Sequence, residues 1–193
     1  MGESISTALP VQSDLLDRLS DDELMLKLRQ GCPEAFDCLV RRHQQAALQT
    51  ALRLLGDASE AEDAVQSAFL GVYRNRERYQ CQGFFRAYLF RAVLNEARLK
   101  LRRSRRQQAA LHRLEDAYAV HPAGSTPAAD DRRLHHALAR LPLRQRTVIV
   151  LRFSADLSLD DIARTLRLPL GTIKSRLFGG LRRLRQEYQG EDE

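Results

Sequence analysis

The chain contains no tryptophan, only three cysteines, and no apolar run long enough to cross a bilayer. Cys32, Cys38 and Cys81 lack CxxC spacing and do not combine with histidines at metal-ligand spacing, so neither a disulfide framework nor a metal site is expected. The N-terminus lacks the basic-then-apolar pattern of a secretory signal. These absences predict a cytoplasmic protein without a cofactor and without direct membrane insertion.

Signatures of catalysis are also missing. The sequence has no Gly-rich phosphate loop, no carboxylate pair in an acid–base context and no nucleophile–base set. We therefore expect no catalytic residues and no enzymatic activity.

Positive charge is abundant and is concentrated in two blocks. The formal net charge is +6, and most of the 31 cationic residues are arginine. Residues 20–106 carry a net charge of +5 and residues 131–188 carry +8, whereas the segments around and between them are acidic. An acidic partner that contacts both blocks is the simplest explanation.

Apolar spacing and turn residues divide the chain into five segments. The helical periodicity predicts an all-α protein with two small domains, at residues 20–106 and 131–188. Residues 107–130 lose this periodicity and end in a stretch rich in Pro, Gly and Ala, which is typical of a flexible linker. Residues 1–19 are expected to form a mobile tail and residues 189–193 an acidic tail.

Capping residues predict where helices of the first block begin and end. Ser20–Glu23 has the sequence of a capping box, and Ser59 with Glu62 has the same pattern. Gly56 is expected at the end of a helix, where a left-handed residue is common. A longer helix is predicted to run from about residue 84 to 106.

Residues 157–185 have the pattern of a helix-turn-helix. Ser158 and Asp161 resemble a capping box, and a break at residues 168–171 contains Pro169. Such a second helix fits the major groove of DNA, where hydroxyl and guanidinium groups meet base edges and phosphates. The candidate DNA-binding side chains of this helix are Thr172, Lys174, Ser175, Arg176 and Arg183.

The predicted helix at residues 84–106 offers a second candidate surface for nucleic acid. One face combines aromatic rings, an asparagine and cations, and such groups stack on bases, read their edges and neutralise phosphates in single strands. Alternatively, the rings belong to the core and the arginines form a solvated helix end that the helix dipole favours. The face consists of Phe84, Tyr88, Arg91, Asn95, Arg98 and Arg102.

Three segments in this order resemble the bacterial RNA polymerase sigma factors of the extracytoplasmic-function (ECF) group of the sigma-70 family, over roughly residues 20–188. The segments are LLGDASEAEDAVQSAFLGVYR at 54–74, FFRAYLFRAVLNEARLKLRR at 84–103 and LARLPLRQRTVIVLRFSADLSLDDIARTLRLPLGTIKSRL at 138–177. The resemblance implies a subunit that directs core RNA polymerase to specific promoters in transcription initiation. It further implies that the first domain recognises and melts the −10 element and that the second domain reads the −35 element.

The resemblance also assigns roles to particular residues. It implies that the −35 element is read by the candidate residues of the helix-turn-helix. It implies that the −10 strand is captured by the aromatic and basic face of residues 84–106, together with Arg76 and Arg78 in the preceding loop. Docking on the β′ clamp of core polymerase is implied for Glu62, Asp63, Gln66, Phe69 and Leu70. A contact with the β flap and control by an anti-sigma factor are implied as further partners.

Two departures from a regular helix stand near the end of the resemblance. Gly179 and Gly180 lie where the family favours a basic, helix-forming run, and each glycine costs about 1 kcal/mol relative to Ala inside a helix. Close approach of another backbone is one reason for glycine at such a position.

Two other functions remain open from the residues alone. A free-standing helix-turn-helix regulator would bind duplex DNA without docking on polymerase. A DNA-processing enzyme would need a centre of carboxylate or hydroxyl chemistry, which the sequence does not display.

Overall fold

The computed structural model describes residues 15–80, 82–111 and 129–189, and within these ranges the chain forms helices and turns without a strand. This confirms the predicted all-α fold class. Residues 1–14 and 190–193 of the predicted tails and residues 112–128 of the predicted linker lie outside the described residues, as does Cys81. In the described ranges, no helix combines the length and the apolar character needed to span a membrane.

Within the described residues, four helices enclose the core of the first domain. They are α1 (Asp21–Arg29), α2 (Glu34–Leu55), α3 (Ala58–Arg74) and α4 (Phe85–Leu111). A short 3-10 turn at Arg76–Arg78 follows α3. The apolar faces of the helices meet in a core because each helix is amphipathic. The fully buried side chains of this core include Leu24, Met25, Leu39, Leu89 and Phe90.

The caps of α1 and α2 are as predicted. The hydroxyl of Ser20 accepts the amide of Glu23, and the carboxylate of Glu23 accepts the amide of Ser20 in return. Gly56 ends α2 in the left-handed conformation, with φ at 83°. Both caps satisfy backbone groups that a helix end otherwise leaves without partners.

The capping box predicted for Ser59 and Glu62 is wrong. Helix α3 begins at Ala58, and the carboxylate of Asp57 accepts the amide of Glu60 at 2.8 Å. An aspartate is as good an N-cap as a serine. Because Asp57 stands two residues earlier, the helix starts there and places Ser59 within its first turn.

Helix α4 is longer than predicted. It ends at Leu111 rather than near Arg106. At its start, the carbonyl oxygen of Phe84 accepts the amide of Tyr88 at 3.0 Å. Residues 107–111 read QQAAL, and Gln, Ala and Leu are all good helix formers. The predicted linker is therefore helical at its N-terminal end.

The second domain consists of α5 (Ala129–Arg140), α6 (Leu143–Phe153), α7 (Leu159–Leu166) and α8 (Leu170–Gln189). Helices α7 and α8 form the predicted helix-turn-helix. Ser158 caps α7 by accepting the amide of Asp161 at 3.0 Å. Apolar side chains from all parts of the domain fill its centre: Leu138, Leu151, Leu157, Ile162 and Ile173 are essentially inaccessible to solvent.

The glycine pair in α8 allows α6 to approach closely. A Cβ atom on Gly180 would lie 2.9 Å from Ile149 Cδ1 and 3.2 Å from Gln145 Cβ, and one on Gly179 would lie 3.1 Å from Gln145 Nε2. These distances are shorter than ordinary carbon–carbon contacts of 3.5–4.0 Å. The two glycines lower the helix propensity of α8, but they allow α6 and α8 to pack tightly.

The two domains also pack on each other. Helix α7 lies against α4, and α5 and α6 lie against α2. Arg86 of α4 donates hydrogen bonds to the carbonyl oxygens of Ala155 and Asp156, in the loop between α6 and α7. Gly56 leaves room for the imidazole of His135, since a Cβ there would lie 2.8 Å from His135 Nε2. We call this packing of the two domains the closed arrangement.

Replacing Gly180 by Ala is expected to lower the free energy of unfolding by about 1 kcal/mol. Overpacking a tight helix contact costs about 1–3 kcal/mol, and the better helix propensity of Ala offsets about 1 kcal/mol of that cost. Urea denaturation measures the difference.

The matched control is Gly71→Ala in α3, where an added Cβ meets no atom within 4 Å. This substitution should raise stability by up to about 1 kcal/mol. If both substitutions stabilise the protein equally, the proposed close contact between α6 and α8 is refuted.

Candidate nucleic-acid and protein interfaces

The predicted DNA-binding side chains of α8 lie outside its buried stripe. Ile173 and Leu177 face the core, whereas Lys174, Ser175 and Arg183 are exposed. Thr172 and Arg176 are half-buried. A helix that buries one stripe and presents hydroxyls and cations elsewhere can enter a major groove without losing its packing.

The aromatic and basic face of α4 divides into a covered part and an exposed part. Asn95, Arg98 and Arg102 are exposed, in keeping with a binding face. Phe84 is 37% exposed, and the guanidinium group of Arg164 in α7 lies 4.0 Å from the centroid of its ring. The closed arrangement thus partly covers the N-terminal end of the predicted −10 face.

Tyr88 and Arg91 are half-buried members of the same face. The ring of Tyr88 lies 5.1 Å from that of Tyr79, and burial raises the pKa of the Tyr88 hydroxyl. Burial also lowers the pKa of Arg91, with smaller contributions from the charges of Arg167 and Arg98. The alternative reading of this face as core is therefore partly right for Tyr88, whereas the fully buried ring at the start of α4 is the neighbouring Phe85.

The loop before α4 is held by a residue that the sequence analysis missed. The carboxylate of Asp22 in α1 accepts the hydroxyl of Tyr79 and the amide of Gly83. These bonds connect both ends of the loop to one side chain. The signal in the sequence was ambiguous because an aspartate in the first turn of a helix is also explained by the helix dipole.

The two arginines predicted in this region differ in their surroundings. Arg76 is already engaged, since its guanidinium group lies 4.7 Å from the ring centroid of Tyr73 and donates to the Tyr73 carbonyl oxygen at 3.1 Å. Arg78 is exposed. Of the two, Arg78 is therefore the more accessible to a phosphate.

An apolar groove of about 640 Å³ runs between α2 and α3. Its sides combine aromatic and aliphatic side chains with a rim of glutamines and one glutamate. Four of the five residues predicted to dock on polymerase line it: Glu62, Gln66, Phe69 and Leu70. Leu70 is 44% exposed, so a large apolar side chain is available to a partner at this groove.

Asp63, the fifth predicted docking residue, is not part of the groove lining. It lies 3.3 Å from the ammonium group of Lys100 in α4, which also contacts Glu60 at 2.6 Å. Burial lowers the pKa of Lys100, but its hydrogen bonds to Glu60 and Asp63 outweigh burial and raise the pKa overall. The side chain of Asp63 therefore joins α3 to α4, and it differs from Gln66 in its surroundings.

The α2 side of the groove was missed by the sequence analysis. Phe36, Val40, Gln44 and Leu48 follow one another at intervals of four residues and therefore share a face of α2. That spacing alone does not distinguish a groove from a core, because both need an apolar stripe.

A helix-turn-helix combined with a second basic helical domain is typical of a DNA-binding protein, and an accessible apolar groove is typical of a surface that contacts another protein. Comparison with protein families makes this specific. Residues 39–107 match the Sigma-70 region 2 family, and residues 137–186 match the Sigma-70, region 4 family. The chain belongs to the ECF group of the sigma-70 family of RNA polymerase sigma factors.

Curated relatives agree with this assignment. The chain is 32% identical to the RNA polymerase sigma-H factor of Pseudomonas aeruginosa, over 85% of this chain and 91% of the relative. It is 34% identical to the ECF RNA polymerase sigma factor SigM of Mycobacterium tuberculosis, over 81% and 79% of the two chains. It is also 28% identical to the ECF RNA polymerase sigma factor SigW of Bacillus subtilis, over 86% and 98%.

Solved structures share the fold. CnrH in complex with the cytosolic domain of CnrY superposes with a TM-score of 0.69 at 25% identity, covering 88% of this chain and 97% of that chain. The sigma factor RpoE of Bartonella quintana, in complex with the anti-sigma factor NepR, gives a TM-score of 0.66 at 26% identity, covering 80% and 96%.

Replacing Asp22 by Ala is expected to release the loop that precedes α4. The amide of Gly83 loses its acceptor, and a lost hydrogen bond to a charged group corresponds to a change of about tenfold or more in an equilibrium constant. Hydrogen exchange followed by NMR should therefore show the Gly83 amide exchanging about tenfold faster or more. Asp37→Ala removes an exposed carboxylate from α2 and serves as the control. Equal exchange rates in the two variants would contradict the role assigned to Asp22.

Proposed function

We propose that this chain directs core RNA polymerase to promoters by reading a −35 element with its second domain and a −10 element with its first. The observation that carries the proposal is that the two family matches coincide, in order, with the two basic helical domains. A free-standing regulator, which the helix-turn-helix alone permits, would leave the match to region 2 without an explanation. The chain acts without catalytic residues of its own, in the cytoplasm, where its polymerase partner works.

The −35 element is assigned to α8. Lys174, Ser175 and Arg183 are exposed and supply a hydroxyl and two cations, while Thr172 and Arg176 flank them. Arginine can donate two parallel hydrogen bonds to guanine, and the other groups suit phosphates and several bases. Because the cations of this helix have no acidic neighbour before Glu187, phosphate attraction adds to base contacts.

The −10 element is assigned to α4 and to the loop that Asp22 holds. Single-stranded DNA presents unstacked bases, and it binds to aromatic rings, amides and cations arranged along a groove. Phe84, Tyr88 and Asn95 supply the rings and the amide, and Arg78, Arg98 and Arg102 supply exposed charge. Capture of an unpaired base at this surface would favour melting of the promoter.

Core polymerase is assigned to the groove between α2 and α3. A helical partner can place an apolar face into such a groove, while the polar rim fixes its orientation. We propose the β′ clamp as this partner and the β flap as a partner of the second domain, as the family resemblance implies. The groove residues Gln66 and Leu70 carry the docking in this proposal, with Asp63 in an indirect role through Lys100.

The closed arrangement must open for promoter recognition. The −10 and −35 elements lie roughly 25 base pairs apart, or roughly 85 Å along B-DNA. Arg102 of α4 and Arg176 of α8 instead line the same cavity. A single closed molecule therefore cannot place α4 and α8 on the two elements at once, and polymerase must bind or induce the open form.

An anti-sigma factor is a further proposed partner. The structure of Bartonella quintana RpoE was determined in complex with the anti-sigma factor NepR. The groove between α2 and α3 offers this chain a surface that such a partner could cover, because it is apolar and accessible. An anti-sigma factor that covers the groove would exclude core polymerase from it.

Replacing Leu70 by Asp is expected to weaken binding to core polymerase by about tenfold or more, since truncating or charging a central apolar contact costs about 2 kcal/mol or more. Fluorescence anisotropy with labelled protein measures the affinity. Leu26→Asp is a matched control on α1, because Leu26 is 45% exposed and Leu70 is 44% exposed. Equal loss in both variants would contradict the assignment of the groove.

Run-off transcription tests the proposed function itself. Core polymerase is assayed with and without this chain on a library of promoter fragments. We expect selective initiation downstream of a shared pair of elements, and a base change in either element should reduce the transcript by about tenfold. If the chain binds duplex DNA alone while core polymerase stays silent on every fragment, the free-standing regulator replaces this proposal.

A further inference from the structure

A cavity of about 290 Å³ lies where the two domains meet. Four arginines line it, two from each domain: Arg98 and Arg102 of α4, Arg144 of α6 and Arg176 of α8. Four leucine side chains and Thr147 complete the lining. The cavity is small for a ligand site, since such pockets usually measure about 300–1,000 Å³.

Among the described residues, no acidic group lines the cavity to balance these cations. No carboxylate of a described residue forms an ion pair with any of the four arginines, and none lines the cavity. Elsewhere on the protein, arginines such as Arg41 and Arg42 contact carboxylates at 3.1 Å and 2.6 Å. Like charges that face one space raise its positive potential and favour entry of an anion.

The shape of guanidinium groups indicates which anion. A guanidinium fork pairs with the oxygens of phosphate through two parallel hydrogen bonds. Four arginine side chains at one small cavity offer many hydrogen-bond donors within a short distance. Adjoining phosphate groups can use more of these donors than an anion with a single charged group. The leucine side chains additionally provide an apolar wall that can contact a base or another apolar group.

We propose that this cavity binds a small anion with two or more adjoining phosphate groups, either an inorganic polyphosphate or the polyphosphate part of a nucleotide. The arginines hold the phosphates. Arg144 is one of them, although it is not among the residues assigned to promoter DNA. Because the ligand contacts both domains, it stabilises the closed arrangement by binding that form preferentially.

The consequence for transcription rests on the proposed function. Arg98, Arg102 and Arg176 belong to the surfaces assigned to the −10 and −35 elements. A bound polyphosphate therefore occupies the same guanidinium groups as promoter DNA, and it holds the domains too close together to span a promoter. Such a ligand would act as an inhibitor that competes with DNA.

Isothermal titration calorimetry of the full chain, without DNA or polymerase, tests the binding. The titrants are tripolyphosphate, ATP and citrate, and citrate is the control for charge without phosphate. We expect saturable binding of tripolyphosphate and ATP at about 0.15 M salt and no comparable binding of citrate. Tighter binding of ATP than of tripolyphosphate would indicate that the base contacts the leucine side chains. Equal binding would indicate that the cavity recognises the phosphates alone.

Arg144→Gln supplies the decisive variant. It removes one guanidinium group from the cavity and should weaken tripolyphosphate binding by about tenfold. Arg185→Gln removes the same charge from an exposed position of α8 that does not line the cavity, and it should change the affinity by less than about twofold.

Three results would overturn the proposal: no saturable binding of either phosphate ligand, equal binding of citrate, or equal losses in the Arg144 and Arg185 variants. The last result would mean that anions bind diffusely to the basic surface. None of these results depends on whether the chain supports transcription. The test therefore distinguishes failure of anion binding at the cavity from failure of the proposed sigma function.

Discussion

The structure depends on bringing two strongly basic domains together at a cavity that four arginines line, with no acidic group among its described lining residues. The contact is held by apolar packing of α7 on α4 and of α5 and α6 on α2, and by the hydrogen bonds of Arg86 to two carbonyl oxygens. Repulsion among the arginines opposes it. The closed arrangement is therefore a balance between packing and repulsion, and an anion that binds these arginines can shift it.

Much of the fold could be predicted from local pattern. The all-α class, the helix-turn-helix, the box at Ser20 and the left-handed cap at Gly56 all follow from periodicity and capping chemistry within a few residues. The errors were also local. Asp57 replaced the predicted serine cap because two good caps stood close together, and α4 continued to Leu111 because its sequence permits a helix. Packing between domains leaves no such local signal.

The candidate sites were predictable to the extent that family resemblance locates them. Four of the five residues predicted to dock on polymerase line one groove. The ion pair between Asp63 and Lys100 joins residues far apart in sequence, so local pattern could not predict it. The same limit applies to Asp22, which holds a loop some sixty residues away. Gly180 showed a local anomaly, yet its cause lies in α6. Which individual residues contact DNA and polymerase stays a prediction.

In the free chain the two domains pack on each other, and we propose that they separate when they bind a promoter. Distances between spin labels at positions 99 and 171, on exposed sites of α4 and α8, test it most directly. We expect a short distance in the free chain. With core polymerase and promoter DNA, the distance should increase by tens of ångströms, on the order of the roughly 85 Å between the two elements. The same distance in both states, or a wide separation in the free chain, would contradict it.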